Sequence, residues 1–343
     1  MRKTIARTSL KDIAEAVGVS TITASRALDP QRTHLICETT RGRVRAMAEK
    51  LNYTSNLAAR RFKRGRSETI SVAIPQSVFK KPQHLDFSAH GSALFWQIMQ
   101  GILVTAKQMK YDIKLEPFFE PDNPDAFLRN ISAPYSDGVI FLGIEDFMRV
   151  IEKSVANEVP CVLITTEPSA CKNVPEISFD LSGAIHNAVD ALVLTGKKDV
   201  AMIYPYESMA GSRRMVVFRD ALMQAGIYNP RLAFPIPTWR SLRAFVREHC
   251  RKPRFEAVFC HNDTMATLLL NELELAAVAA PRQITVIGYD NNPVYEDDAF
   301  STISLDRYGL GVEAVRTLVN IVEGREVFIG KKLIPTTFVN RGI

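Results

Sequence analysis

Residues 9–62 read SLKDIAEAVGVSTITASRALDPQRTHLICETTRGRVRAMAEKLNYTSNLAARRF, and their spacing decides how the first part of this chain folds. Leu10, Ile13, Ala14 and Val17 fall at i, i+3, i+4 and i+7, which lines one face of a short helix with apolar side chains. Ser9 followed by Asp12 is a capping-box start for that helix. Gly18 stands where the chain must turn through a conformation that glycine adopts without steric cost. Ser20 is placed to cap a second helix with Ala24, Ala27 and Leu28 on its buried side. Small residues at Ala14 and Ala24 let the two helices cross closely. Val44, Met47, Ala48 and Leu51 repeat the spacing in a third helix. The pattern predicts a helix-turn-helix.

Charge separates this head from the rest. Residues 1–66 carry 15 Lys/Arg against 5 Asp/Glu, a net of +10, while residues 67–343 carry 28 against 32, a net of −4. A compact basic head on a mildly acidic body is the footprint of a module that docks on phosphates, and a merely solvated basic tail would lack the apolar stripes. At 343 residues the chain exceeds one small domain, and its 46% apolar and 23% charged content is that of a soluble globular protein. No apolar run reaches the roughly 18 residues of a membrane span. The basic start lacks an apolar stretch before a cleavage site, so no secretory signal is expected. Cys37, Cys161, Cys171, Cys250 and Cys260 are scattered and form no CxxC pair, which argues against a disulfide frame or zinc site and for a reducing cytoplasm.

Residues 1–8 read as a loose arm, 9–51 as the three helices, 52–62 as a short helix-forming extension, and 63–67 as a polar linker. From Ile70 the pattern changes. Apolar runs at 70–75, 112–119, 137–143, 159–166, 199–205, 257–263 and 284–290 alternate with helical segments near 94–109, 145–157, 182–195, 212–225, 240–250, 264–276 and 309–323. Such alternation implies doubly wound parallel sheets, and this length divides naturally into two of them. Ligands of open α/β sheets bind beyond the carboxyl ends of the strands, here Pro75, Gly143, Thr165/Thr166, Tyr204, Asn262/Asp263 and Asp290. Residues 76–93 form a long irregular insert after the first strand.

These residues carry a family resemblance. LKDIAEAVGVS, SRAL, TTRGRVRAMAEKLNY and SNLAARRF within residues 10–62 resemble the head of the lactose/galactose repressor family of bacterial transcription regulators. SFDLSGAI (178–185), RMVVFRDAL (214–222), HND (261–263), VIGYDN (286–291), FSTISLD (300–306) and LIPTTFVNR (333–341) continue it in order to the end of the chain. The resemblance implies an all-α helix-turn-helix head on an α/β effector domain of two doubly wound lobes, similar to periplasmic sugar-binding proteins. It also implies domain limits: 1–55 for the head, 56–68 for a hinge helix and linker, and 69–343 for effector binding and dimerisation. Lobe one would hold about 69–178 and 308–335, and lobe two about 179–307 and 336–343.

By position in that family, Thr21, Ile22 and Arg26 face base edges, while Ser20, Thr23, Ser25 and Asn56 contact phosphates. The chemistry is consistent: arginine gives two hydrogen bonds to guanine, and isoleucine offers an apolar contact to a thymine methyl. Residues 55–63 resemble the hinge helix that wedges an apolar side chain into the minor groove. Phe62 stands where leucine is usual, flanked by Arg60, Arg61, Lys63 and Arg64. Ser55 replaces the usual proline, Cys37 replaces a usual capping serine, and the loop at 29–36 is about two residues longer than the family pattern. In the effector part the resemblance points to Arg214, Trp239, Asn262 and Asp290, with Phe95 and Trp96 near the mouth and Asp180 as a lesser candidate. Carboxylate, guanidinium and aromatic faces together suit a sugar.

Other signals point elsewhere more weakly. Residues 309–314 read GxGxxA but lack a following βαβ unit, so a helix start crossing between lobes is the simpler reading. His84, Asp86 and His90 lie in the insert without a frame to hold a metal, and no nucleophile motif is present, so neither metal, cofactor nor catalysis is expected. The expectation is a cytoplasmic, nucleoid-associated homodimer that binds a pseudo-palindromic operator, most simply as a repressor, under a small carbohydrate-like effector. The rival expectation is a solute-binding module with a vestigial head.

Overall fold

Three short helices form where the apolar stripes place them. The computed structural model describes residues 8–29, 33–53, 66–79, 91–119, 123–143, 147–165, 169, 171, 173–205, 209, 212–278, 284–295, 300–325 and 328–343. Two compact units result, Met1–Ser67 and Glu68–Ile343. In the first, α1 (Leu10–Val17) starts at a capping box between Ser9 and Asp12 and ends at Gly18 with φ of 74°. Helix α2 (Thr21–Leu28) is capped by Ser20, which accepts from the Thr23 N–H, and α3 spans Glu38–Lys50. Ile13, Ala14, Val17, Ala24, Ala27, Val44 and Ala48 form the shared core, with Leu28, Met47 and Leu51 packed at its edge. Arg43 ties α3 to the end of α1 by donating to the Val17 carbonyl at 2.7 Å, a cation placed at a helix C-terminus.

The second unit is built on two parallel sheets. In chain order the first gathers β1 (Thr69–Ile74), α4 (Gly91–Gln108), β2 (Asp112–Pro117), α5 (Pro124–Ile131), β3 (Gly138–Leu142), α6 (Met148–Ala156), β4 (Cys161–Ile164) and β5 (Glu176–Phe179). The second gathers α7 (Ser182–Leu194), β6 (Val200–Tyr204), α8 (Arg213–Gln224), β7 (Ala233–Pro235), α9 (Trp239–Phe245), β8 (Ala257–Cys260), α10 (Asp263–Leu275) and β9 (Thr285–Ile287). The chain finishes with β10 (Thr302–Leu305), α11 (Arg307–Val322), β11 (Lys331–Ile334) and β12 (Thr336–Val339). Strand order is β11-β5-β4-β3-β1-β2 in one sheet and β7-β6-β8-β9 in the other, while β10 and β12 pair antiparallel. Every neighbour within the two larger sheets is parallel.

The chain therefore passes from the first sheet to the second after β5, returns after β10, and crosses again into β12. Helix α11 lies tightly on α4. A Cβ on Gly101 would lie 2.1 Å from the Tyr308 carbonyl oxygen, and one on Gly311 would lie 2.2 Å from that of Ile98. The glycines of the GxGxxA run thus start and pack a returning helix.

All seven expected strand runs are strands; β5, β7, β10, β11 and β12 add to them, and α5 is a helix beyond those expected. The helix expected near 240–250 is α9 followed by a π-helical turn, Val246–Cys250. Of the insert, residues 76–79 form a 3-10 turn and α4 begins at Gly91, while residues 80–90, with His84, Asp86 and His90, lie outside the described residues. Among the described residues, no helix is long and apolar enough to cross a membrane.

Candidate functional site

On the head, burial of Ala24 and Ala27 turns the opposite face of α2 outward. Thr21, Ile22, Ser25 and Arg26 are exposed, and Ile22 keeps 61% of its surface in water. An apolar side chain so placed is available for apolar contact with a thymine methyl. Ser20 Oγ and Thr23 Oγ1 lie 2.8 Å apart, and the Ser20 oxygen also accepts from the Thr23 amide at 3.0 Å. The two hydroxyls are thereby held at the start of α2, where the helix dipole favours an anion. Asn56, Arg60, Phe62 and Lys63 lie outside the described residues.

Cys37 occupies the N-cap of α3, but its thiol makes no capping hydrogen bond. It instead lies 3.1 Å from Thr40 Oγ1 and 3.5 Å from Thr39 Oγ1. Those side-chain contacts, Thr40 first, bring the thiol down to about 7.

In the second unit, strand ends converge. Arg214, near the start of α8, donates to the His261 carbonyl at 3.3 Å, lies 3.6 Å from Asp290 Oδ1, and covers the Tyr289 ring at 4.2 Å. Asn262 follows His261 directly and caps α10 by accepting from the Met265 amide at 2.9 Å. Arg214, Asn262 and Asp290 thus meet beyond β8 and β9. Asp220, on the same helix as Arg214, pairs with Arg219.

Asp290 is held in a strained backbone, with φ of +119°. Its amide donates to the Ile303 carbonyl at 2.9 Å. Arg307, the first residue of α11, then grips it twice: Nη1 donates to the Asp290 carbonyl at 2.8 Å and Nη2 to Oδ1 at 2.6 Å. Nearby Asp263 is 2% exposed and accepts from Thr302 Oγ1 at 2.6 Å and from the Asn292 amide at 2.7 Å. Burial, with the Asp290 charge second, pushes its carboxyl up to about 6. Burial first, and the Arg214 charge next, hold His261 well below the usual imidazole range, so this ring is neutral.

The other candidates stand apart. Trp239 Nε1 donates to Glu272 Oε1 at 2.7 Å, and Arg243 Nε donates to the same oxygen at 2.8 Å. Glu272 is ten residues beyond Asn262, about 15 Å of helix rise, so this hydrogen bond directs the indole away from the Arg214–Asp290 cluster. Phe95 is half-buried against the core and meets the exposed Trp96 edge to face at 5.9 Å; both belong to α4. Asp180 Oδ1 accepts from the Ser182 amide and hydroxyl, each at 3.0 Å, which explains it as a turn at the start of α7. Arg307 was not anticipated, and Asp263 was read only as a strand end. An arginine opening a helix and an aspartate opening another carry no pattern of their own; only tertiary contact reveals them.

Comparison with known proteins agrees with this architecture. The model of bacterial regulatory proteins of the lacI family matches residues 9–56, and that of the periplasmic binding protein-like domain matches residues 189–342. The chain is 27% identical over 345 residues to the HTH-type transcriptional repressor CytR of Escherichia coli (strain K12), covering 97% of this chain and 95% of the relative. It is 26% identical over 332 residues to the HTH-type transcriptional regulator GntR of Pseudomonas aeruginosa, covering 95% and 92%. A crystal structure of the lac repressor dimer bound to operator and the anti-inducer ONPF superposes with a TM-score of 0.78 at 23% identity, covering 98% of each chain.

Proposed function

This chain belongs to the lacI family of bacterial regulatory proteins, and from that premise we propose a cytoplasmic repressor that binds a pseudo-palindromic operator as a homodimer and answers to a small hydroxylated effector. It is a DNA-binding regulator and not an enzyme. The observation that carries the reading is the outward face of α2, where Ile22 and Arg26 stand exposed above a fully formed head core. A vestigial head would not keep that core, both serine caps and an exposed isoleucine together.

Thr21, Ile22 and Arg26 are the proposed base readers, and Ser20, Thr23 and Ser25 the phosphate contacts. Asn56, Arg60, Phe62 and Lys63 are proposed to act in the hinge segment. The domain limits proposed are 1–55, 56–68 and 69–343, with lobes of about 69–178 plus 308–335 and 179–307 plus 336–343. The membership of β11 in the first sheet and the β10–β12 pair favour this partition. Arg214, Asn262 and Asp290 are the proposed effector contacts, joined by Arg307. Phe95 and Trp96 are proposed as apolar cover from α4. Trp239, tied to Glu272, serves as wall rather than ligand contact.

Effector held between the lobes changes how the hinges are presented, so operator and effector affinities are coupled by one reciprocal factor. The test is operator selection from random duplexes, followed by binding titrations. Arg26→Ala is expected to lose about 1–3 kcal/mol of discrimination at one base pair per half-site, with little change elsewhere. A uniform loss across all operator variants would refute the base-reading assignment. Salt-independent binding would refute the DNA function itself.

A further inference from the structure

Asp290 and Asn291 are consecutive residues with positive φ, +119° and +46°. Asparagine tolerates the left-handed region, but a φ of +119° is costly for any residue other than glycine. Such a turn persists only where its surroundings hold it. Arg307 holds one side, donating to both the carbonyl and the carboxylate of Asp290. The other side of the same peptide is the Asn291 amide, whose contact with Thr302 Oγ1 is long, at 3.3 Å.

Asn291 is held through its side chain instead. Its Nδ2 donates to Ser304 Oγ at 3.2 Å, and its Oδ1 accepts from Arg341 Nη2 at 3.0 Å. The antiparallel register explains why Arg341 arrives there. In the β10–β12 pair Val339 lies opposite Thr302, so two residues further the ladder would set Arg341 opposite Phe300. Arg341 Nη1 donates to the Phe300 carbonyl at 3.2 Å, and the Arg341 amide donates to Ser301 Oγ at 3.0 Å. Phe300 and Ser301 are both buried. One guanidinium therefore bonds both ends of the loop from Asn291 to Phe300, with one end anchored in the core. Spanning two acceptors with a planar fork is a task for arginine and not for lysine.

We infer that Arg341 is a positioning residue of the effector site: by closing this loop at Asn291 it holds Asp290 in the backbone conformation that Arg307 grips. This rests on the reading of the Arg214–Asp290 cluster as the effector site. Arg341 restrains the Asn291 side chain, Asn291 passes the restraint to the peptide it shares with Asp290, and the carboxylate keeps its direction. Arg307 opens the helix that leads to the first sheet, and Arg341 follows the strand that leads back from it. The direction of the Asp290 carboxylate therefore depends on both segments that connect the sheets.

The experiment is a double-substitution cycle on the full chain, read by thermal unfolding of the effector unit and by hydrogen exchange of the peptide holding Asp290 and Asn291. Arg341→Gln speeds exchange of that peptide roughly tenfold. Asp290→Asn weakens the Arg307 grip and lowers the unfolding midpoint; in the Arg341→Gln background the same substitution lowers it by roughly half as much or less. An Arg341 that merely braces Phe300 and Ser301 gives equal drops in both backgrounds. Arg341→Lys keeps the charge and the amide bond to Ser301 and loses the fork, so it behaves as Arg341→Gln does, and it decides if the glutamine variant fails to fold. Equal drops, or unchanged exchange at Asp290 and Asn291, overturn the proposal. The cycle needs no sugar, so it fails separately from the effector reading. A monosaccharide that releases selected operator equally from wild type and Asp290→Asn would overturn the effector role of Arg341 while the coupling to Asp290 stands.

Discussion

Asp263 is a buried acid whose ionisation the fold opposes, and replacing it isolates that opposition. Four influences compete at its carboxyl. Burial and the like charge of Asp290 disfavour the anion, while hydrogen bonds from Thr302 and the Asn292 amide, and the more distant Arg307, favour it. The first two win, lifting the carboxyl from 3.8 to about 6. At about 1.4 kcal/mol per unit this is about 3 kcal/mol. Because the folded value is raised above the unfolded one, the contribution is fully present below about pH 4 and is lost as pH rises through about 6. In Asp263→Asn that titration is gone. The new amide also places a donor where an acceptor was needed, but that penalty does not depend on pH. Melting wild type and variant side by side from pH 4 to pH 7.5, the wild-type advantage is expected to shrink by roughly 2–2.5 kcal/mol, with most of the loss between pH 4 and 6. A flat difference, or one that grows with pH, would mean that Arg307 and the two hydrogen bonds outweigh burial.

Two further outcomes follow from local geometry. Cys37→Ser supplies α3 with the side-chain cap it lacks, so hydrogen exchange of the first α3 amides should slow roughly fivefold; unchanged exchange would show that the Thr39 and Thr40 contacts already do the work of a cap. Glycine-to-alanine substitution should change sign with location: Gly42, in α3 with nothing within 4 Å of an added Cβ, gains about 0.5–1 kcal/mol, whereas Gly101 loses about 3 kcal/mol or more because its Cβ would enter the Tyr308 carbonyl. Thermal shifts in the same direction for both would contradict the close α4–α11 packing.

Legibility in the sequence followed burial on both faces for most strands, with β2, exposed or half-buried along its length, and the buried β10 as exceptions. Strands β1, β3, β4, β6, β8 and β9 are fully or almost fully buried, and such strands read as continuous apolar runs. Strands β11 and β12 lie at exposed margins, KKLI and TTFV, and carry no such run. Strand β5 is buried but holds Glu176, whose charge breaks the pattern although Thr165 and Ser169 satisfy it. Helix α5 had a readable start, Asn123 capping Pro124, but eight residues with two buried positions gave too little periodicity to follow.

Site residues divided along the same physical line. Arg214, Asn262 and Asp290 stand near strand ends where a helix or turn begins, a position that chain order alone exposes. Arg307 stands at a helix start too, but a cation there works against the dipole and reads as a misplaced surface charge. Its reason is Asp290, seventeen residues earlier, whose φ of +119° has to be held by something. Arg307 bonds both the carbonyl and the carboxylate of that residue, so strain, charge and position have one cause. Lysine in its place would keep the charge and lose the fork, and Asp290 would then be free to leave its strained conformation. The residue that explains the site is therefore the one whose local setting looks least favourable, because its stabilising partner, seventeen residues earlier, is met only once the chain has folded.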